Sequence, residues 1–353
     1  MAPVPAVAYL ISSDAAPAQL TRLAAVLRSG SSGAVIAVRQ DAAAGSLDLR
    51  RMHELNVDLL ETTSLVRGSA AELLMLLRCL RRLRESRFDW LVLISGSDYP
   101  IRPVAEIEAS LAGADTDGFI ETHPCEPPAG RRGTPVDPYA LRYHYRWSSP
   151  RPRRPIARAL AGVLDPRIAV EVTPAGVRFG VPAKRSPFRT PKRPPVALPI
   201  RHNPLSVATA ERSPFGEGLA CRYGPTSFVL SRRAVHVIDT AVHEHPELVL
   251  YYRDTLVPVE SYVHTVLAND GSVSLRDESR RLEFSGAVDV DALLASGADF
   301  AGPFDAGSDA VLDALDARVH RKERVHSPDR PPDFDSSAID AISAPRCTPL
   351  TMS

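Results

Sequence analysis

The strongest constraint on this chain is a rhythm of short apolar runs, each too brief for a helix, separated by segments whose apolar residues recur at helical spacing. Ala6 to Ile11 (AVAYLI), Ala34 to Val38, Val57 to Leu60 and Trp90 to Ile94 are the runs; Gln19 to Leu27 and Ser69 to Arg84 are two of the helical segments. In the second helix Ala70, Leu73, Leu74, Leu77, Leu80 and Leu83 define the predicted apolar face, with arginines opposite. Runs without polar alternation suit strands covered on both faces, as in parallel sheets. The alternation therefore predicts a doubly wound α/β fold with a mostly parallel central sheet, whose ligands gather outside the carboxyl ends of the strands.

That rule directs attention to the loop after Ile94, Ser95-Gly96-Ser97-Asp98-Tyr99-Pro100. Small residues let a ligand approach the backbone, and Asp98 is either a ligand-facing acid or the centre of an Asx-type turn before Pro100. Further on, the pattern predicts a helix over Pro103–Leu111, a strand over Gly118–Glu121, a strand over Thr226–Leu230, and a helix capped by Ser231 that runs to about His243. Glu260 to Leu267 reads as a helix with its acid in the first turn; Val288–Leu294 and Asp309–Val319 also read as helical.

With 353 residues, the chain is expected to form one catalytic-size domain over 1–326, with an insertion at about 124–218 and a Pro- and Asp-rich disordered tail at 327–353. In the insertion prolines recur and neither period persists, and between Arg142 and Arg193 thirteen Arg or Lys face two acids. The whole chain nonetheless carries a net charge of +0, which argues against bulk binding to nucleic acid or an acidic membrane. Tyr139, Tyr143, Tyr145 and Trp147, just ahead of the arginines, could stack sugars or bases. Cys79, Cys125, Cys221 and Cys347 are widely spaced and read as reduced thiols of a cytoplasmic protein, forming no metal or redox pair. The first ten residues read as a strand, not a leader or an anchor, and no membrane-spanning segment is expected.

Several segments, in order, resemble the Core-2/I-branching β-1,6-N-acetylglucosaminyltransferases of glycosyltransferase family 14 and the related peptide O-xylosyltransferases, in a bacterial form. They are AYLISSDAAPAQLTRL, RGSAAELLMLLRCLRRL with FDWLVLISGSDYPIRPVAEI, YYRDTLVPVESYVHTVLAN and DFAGPFD. The resemblance implies a GT-A-like, Rossmann-type glycosyltransferase fold. It also implies inverting, metal-independent transfer of N-acetylglucosamine, or xylose, from a UDP-sugar to a carbohydrate or glycoside acceptor, with no cofactor. Glu260 matches the family's catalytic glutamate, the general base such a transfer needs. Ser95, Gly96, Ser97 and Asp98 fall at the donor site. Arg280 and Arg281 could meet the diphosphate, although each alone also fits a solvated surface arginine. Two departures stand out. Where family members carry a lysine in the last motif this chain has Pro303, so that Lys184 or Lys192 of the insertion could substitute. After the second strand it reads Val38-Arg39-Gln40-Asp41, so that Asp41, shifted in register, would meet the uridine. These departures leave a second reading, a non-catalytic sugar- or nucleotide-binding relative.

Other patterns carry less. Asp115-Thr116-Asp117 reads as a turn and Asp289-Val290-Asp291 as an acidic helix start, not as metal sites. His243-Glu244-His245 lacks zinc-hydrolase spacing, and His264 reads as a helix-surface residue.

Overall fold

The structure, a computed structural model, describes residues 5–127, 137–148, 169–173, 176–180, 207–209, 213–286, 288–305 and 307–320. The predicted tail, Cys347, Lys184 and Lys192 lie outside them. The first half runs β1 (Val7–Ser13), α1 (Pro17–Gly30), β2 (Val35–Gln40), α2 (Leu49–Glu54), β3 (Val57–Thr62), α3 (Ala70–Leu83), β4 (Trp90–Ser95), β5 (Tyr99–Pro100), α4 (Val104–Leu111) and β6 (Gly118–Phe119). Then come β7 (His123–Pro124), α5 (Pro138–Tyr143), β8 (Arg146–Ser148), β9 (Ala169–Thr173), β10 (Gly176–Gly180), β11 (Val207–Thr209), β12 (Arg222–Tyr223) and β13 (Phe228–Ser231). The remainder is α6 (Arg232–Glu244), α7 (Pro246–Tyr252), α8 (Tyr262–Asn269), β14 (Leu275–Arg276), β15 (Arg281–Glu283), α9 (Val290–Ala295), β16 (Phe300–Gly302) and α10 (Asp309–Leu315).

The central sheet has the order β14-β6-β13-β4-β1-β2-β3. Strands β1 to β4 pair in parallel, whereas β13 is antiparallel to both of its neighbours. The chain winds outward from β1 to β3 and returns to place β4 on the other side of β1, which makes a topological switch point at β1/β4. Both faces are covered. Ala8, Leu10, Leu91 and Leu93 pack under α3, α6 and α8. Val7, Tyr9, Ile11, Val92 and Ile94 pack under α1 and α4. Each such aliphatic side chain is worth about 1.5–3 kcal/mol on burial, so the two-faced core explains the unbroken apolar runs.

Most predicted elements are present within a few residues. Ser231 caps α6, its hydroxyl accepting from Ala234 N at 3.1 Å. On α3 the predicted Leu73, Leu77, Leu80 and Leu83 are buried, but Leu74 is 45% exposed while Met75, Leu76 and Cys79 join the buried side. The two sides of this helix are richer in leucine than one apolar stripe requires. The insertion, expected to lack regular structure, contributes β9, β10 and β11 to a four-stranded sheet with β8. The helix predicted from Glu260 is divided into a 3₁₀ turn, Pro258–Glu260, and α8. Among the described residues no helix is long and apolar enough to cross a membrane.

Candidate active site

A cleft of about 290 Å³ opens at the carboxyl ends of β1, β2 and β4. In the sheet register Ser12 lies between Arg39 and Ser95. Because side chains alternate along a strand, these three share the face that carries Leu10 and Leu93, and together they floor the cleft. Leu65, Arg67, Glu72, Met75 and Leu76 form one wall. Pro225 to Ser227, Val259 and Glu260 form another, and Asp98, Arg281, Glu283 and Pro303 close it. A more open concavity of about 360 Å³ between Glu278–Leu282 and Ser296–Asp299 has none of the residues at the carboxyl ends of β1, β2 and β4.

Asp98 is fully buried, and both of its oxygens are used. Oδ2 accepts from Ser95 N at 2.8 Å and Oδ1 from Arg281 Nε at 2.8 Å. Burial pushes its carboxyl pKa up, and the Arg281 guanidinium opposes that push. Asp98 thus closes a turn, and instead of facing open space it anchors the Arg281 guanidinium at the cleft. The short sheet β15-β16-β5 brings the two together, with Ala301 opposite Tyr99 and parallel to Leu282. Gly302 is required here, since a Cβ would lie 2.2 Å from Asp98 Oδ1. Gly96 is equally constrained, against Ser13 Oγ at 2.1 Å, so it shapes the loop from beneath.

Glu260 follows a strained turn. Val257 has φ 50° and ψ 51°, a left-handed conformation that a β-branched residue adopts only under constraint, at a cost of about 1–3 kcal/mol. Its N–H donates to Gly68 O at 3.0 Å, and Gly68, at φ +76°, leaves room for the Val257 side chain. Glu260 O accepts from Gly224 N at 2.9 Å. The result is a carboxylate held on rigid backbone and 31% exposed. Its Oε2 accepts from Arg142 Nη1 at 2.7 Å, and the Arg142 side chain is only 2% exposed. Burial alone would lower the Arg142 pKa, but Tyr143 and Glu260 outweigh it and raise it, so the guanidinium stays charged. Glu72 stands nearby, accepting from Gly68 N at 2.6 Å. Burial raises its pKa and the Glu260 charge adds to the rise.

Of the predicted residues, Ser95, Ser97, Asp98, Asp41, Arg281 and Glu260 line this one cleft. Asp41 lies just past β2, whose pairing with β3 slips at Val38/Arg39, and its carboxylate already accepts from Ala43 N at 2.9 Å and Ser64 Oγ at 3.0 Å. Burial pulls its pKa upward, yet these bonds and Arg39 leave it lowered. Arg280 points elsewhere: it pairs with Asp299 at 2.5 Å and stacks over Phe119. Neither arginine is a solvated surface residue. Sequence reasoning missed Arg39, Arg67, Glu72 and Arg142. No linear signal marks Glu72, and the basic run concealed Arg142.

Other expectations need correction. His264 is 1% exposed, with Nε2 3.0 Å from Pro225 O, because the face of α8 it occupies packs into the core. Tyr143 and Tyr145 are buried and cannot serve as an exposed stacking platform; Tyr139 stacks on Tyr223 with centroids 3.8 Å apart. Asp289 caps α9 through Asp291 N as expected, but Asp117 bonds across the fold, accepting from Ser231 Oγ at 3.0 Å and Ser274 N at 3.1 Å. The widely spaced cysteines are not independent, since Cys125 and Cys221 meet beside His144, all three buried. A hydrogen bond with Cys125 pulls the Cys221 pKa down, while that same bond and then burial raise Cys125.

Residues 7–150 match the family model described as Core-2/I-Branching enzyme. No curated protein matches the chain significantly. A Bacillus anthracis structure assigned as a glucose-1-phosphate thymidylyltransferase, in complex with a sucrose, is 9% identical to it. The match covers 90% of this chain and 95% of that one, with a TM-score of 0.31. That likeness is too slight to support an argument, and the fold assignment stands on strand order alone.

Proposed function

We propose, from the match of residues 7–150 to the model of the Core-2/I-branching enzymes, a family of glycosyltransferases, that the chain transfers a sugar from a UDP-sugar to an acceptor hydroxyl with inversion and without a catalytic metal. N-acetylglucosamine is the first candidate sugar and xylose the second. The observation that carries this reading is that Glu260 and the Asp98–Arg281 pair line one cleft at the strand ends.

Each step has a residue. Glu260, oriented by Arg142, takes the proton of the acceptor hydroxyl as its oxygen attacks the anomeric carbon from the face opposite UDP. The glycosidic bond to UDP breaks, and charge accumulates on the diphosphate. Arg281, Arg39 and Arg67 are the cations that line the cleft among the described residues. They are suited to meet that charge where the family's lysine is replaced by Pro303. Metal-independence is supported by Asp98: it is fully buried and its charge is already met by the Arg281 guanidinium, so the strand-end acid is poorly placed to coordinate a cation. Asp41, at the end of β2, borders the region suited to the uridine.

The test is UDP release from a panel of UDP-sugars, with and without EDTA, for the native protein and Glu260→Gln. EDTA-resistant turnover of one donor, lost in the variant, is the expected result. Binding without turnover across a broad acceptor screen would overturn the catalytic reading in favour of a sugar-nucleotide-binding protein.

A further inference from the structure

Behind the cleft lies a cluster that the transfer reaction does not use. Strands β7 and β12 pair antiparallel, Pro124 opposite Arg222, and Cys125 N donates to Cys221 O at 2.9 Å one step along. Two thiols therefore occupy facing positions of one ladder. His144 caps the C-terminus of α5, its N–H donating to Ala140 O. Its ring Nε2 lies 2.9 Å from Cys125 O. A carbonyl can only accept, so Nε2 carries the proton and Nδ1 keeps its lone pair for the sulfurs. The ligand atoms of the three residues lie within 4.8 Å of one another, and Ser213 Oγ is 3.5 Å from Nδ1.

We propose that Cys125, Cys221 and His144 Nδ1 bind one zinc ion, with the Ser213 hydroxyl or a water in the fourth position, as a structural site that holds α5 against β7 and β12. Zinc takes thiolates at about 2.3 Å and imidazole at about 2.0–2.1 Å. The three donor atoms, within 4.8 Å of one another, lie close to the span that one ion at those distances bridges. Two thiolates and a neutral imidazole give Zn(II) a complex with no net charge, which suits a site where Cys125, His144 and Cys221 are 4%, 7% and 4% exposed. The ring N–H donated to a backbone carbonyl is the outer-shell bond that orients a metal-bound histidine. A disulfide between the two cysteines would give that oriented imidazole nothing to do. The site also explains how the cleft is braced. Arg142 lies two residues before His144, and Cys221 Sγ is 3.9 Å from Ser261 Oγ, next to Glu260. The metal thereby supports both members of the Arg142–Glu260 pair while standing outside the cleft.

The test measures metal, not activity, and so separates this inference from the transferase reading. Full-length protein purified under reducing conditions is analysed for zinc by mass spectrometry. It is then stripped with a chelator under mild denaturation and reloaded with Co(II). One zinc per chain and a thiolate-to-cobalt charge-transfer band are expected. Cys221→Ser should weaken Zn(II) binding by more than the roughly 10- to 100-fold that loss of an outer-shell partner costs. Because that variant could misfold, the decisive arm is the wild-type chain. Folded, reduced protein that takes up neither zinc nor Co(II), or a Cys125–Cys221 disulfide in a non-reducing peptide map of protein prepared without reductant, would overturn the proposal.

Discussion

Arg142 and Glu260, 118 residues apart in sequence, meet at 2.7 Å, the arginine enclosed and the carboxylate open to the cleft. This asymmetry suits the proposed roles, in which the buried partner supplies fixed charge and the exposed one meets the acceptor. It also makes the pair experimentally separable.

Glu260→Gln keeps an oxygen for Arg142 but removes the base. The kcat for UDP release should fall by about 10²- to 10⁴-fold with little change in the donor KM, as steady-state kinetics would show. An unchanged kcat would remove Glu260 from the mechanism.

Arg142→Ala should destabilise the protein by about 2 kcal/mol in urea unfolding, near the value of a hydrogen bond to a charged group. The larger cost of about 3–5 kcal/mol for breaking a buried pair does not apply in full, because Glu260 keeps access to water. Activity should drop as well, since the carboxylate loses its orienting partner. Arg142→Lys should restore part of the stability.

Arg281→Ala leaves Asp98 buried without a counter-charge and should cost about 3–5 kcal/mol. The double variant Asp98→Asn/Arg281→Met should recover much of that stability while remaining weak in UDP binding, measured by calorimetry. Recovery of both would show that Arg281 serves the fold alone.

Gly302→Ala should cost about 1–3 kcal/mol by overpacking against Asp98 and should weaken UDP affinity by displacing the Asp98–Arg281 pair. Thermal unfolding and calorimetry on the same variant test both effects together.

Glu72 gives a pH signature. Its carboxyl pKa is raised in the folded state, first by burial and then by Glu260. The folded state therefore holds its proton more tightly than the unfolded chain. The resulting stability is complete below the ordinary carboxyl pKa and is lost as pH rises through the folded value. Glu72→Gln, which stays neutral, should melt at a higher temperature than wild type at neutral pH, and the two melting curves should converge as the pH falls below the usual carboxylate range. A constant difference across pH would contradict the assignment.

Much of the scaffold was legible locally. The apolar runs became β1, β2 and β4 because strands buried on both faces leave no polar alternation, and Ser231 was recognisable as a cap because capping is decided within four residues. The loop after β4 was found by topology, since the switch point follows from strand order. Facing was less secure. On α3 leucines occur around the helix, and only the neighbouring elements decide that Met75 turns inward and Leu74 outward.

The sequence by itself determined the α/β elements, their order and the candidates Glu260 and Asp98, because periodicity, caps and linear motifs are written over short stretches of chain. The tertiary structure alone decided that Asp98 is buried under Arg281 from 183 residues away, that Arg142 in a run of arginines is the one enclosed beside Glu260, and that Cys125 and Cys221 face each other at His144. Those relationships depend on which strands become neighbours and on which side chains lose water, and both are set when the whole sheet assembles.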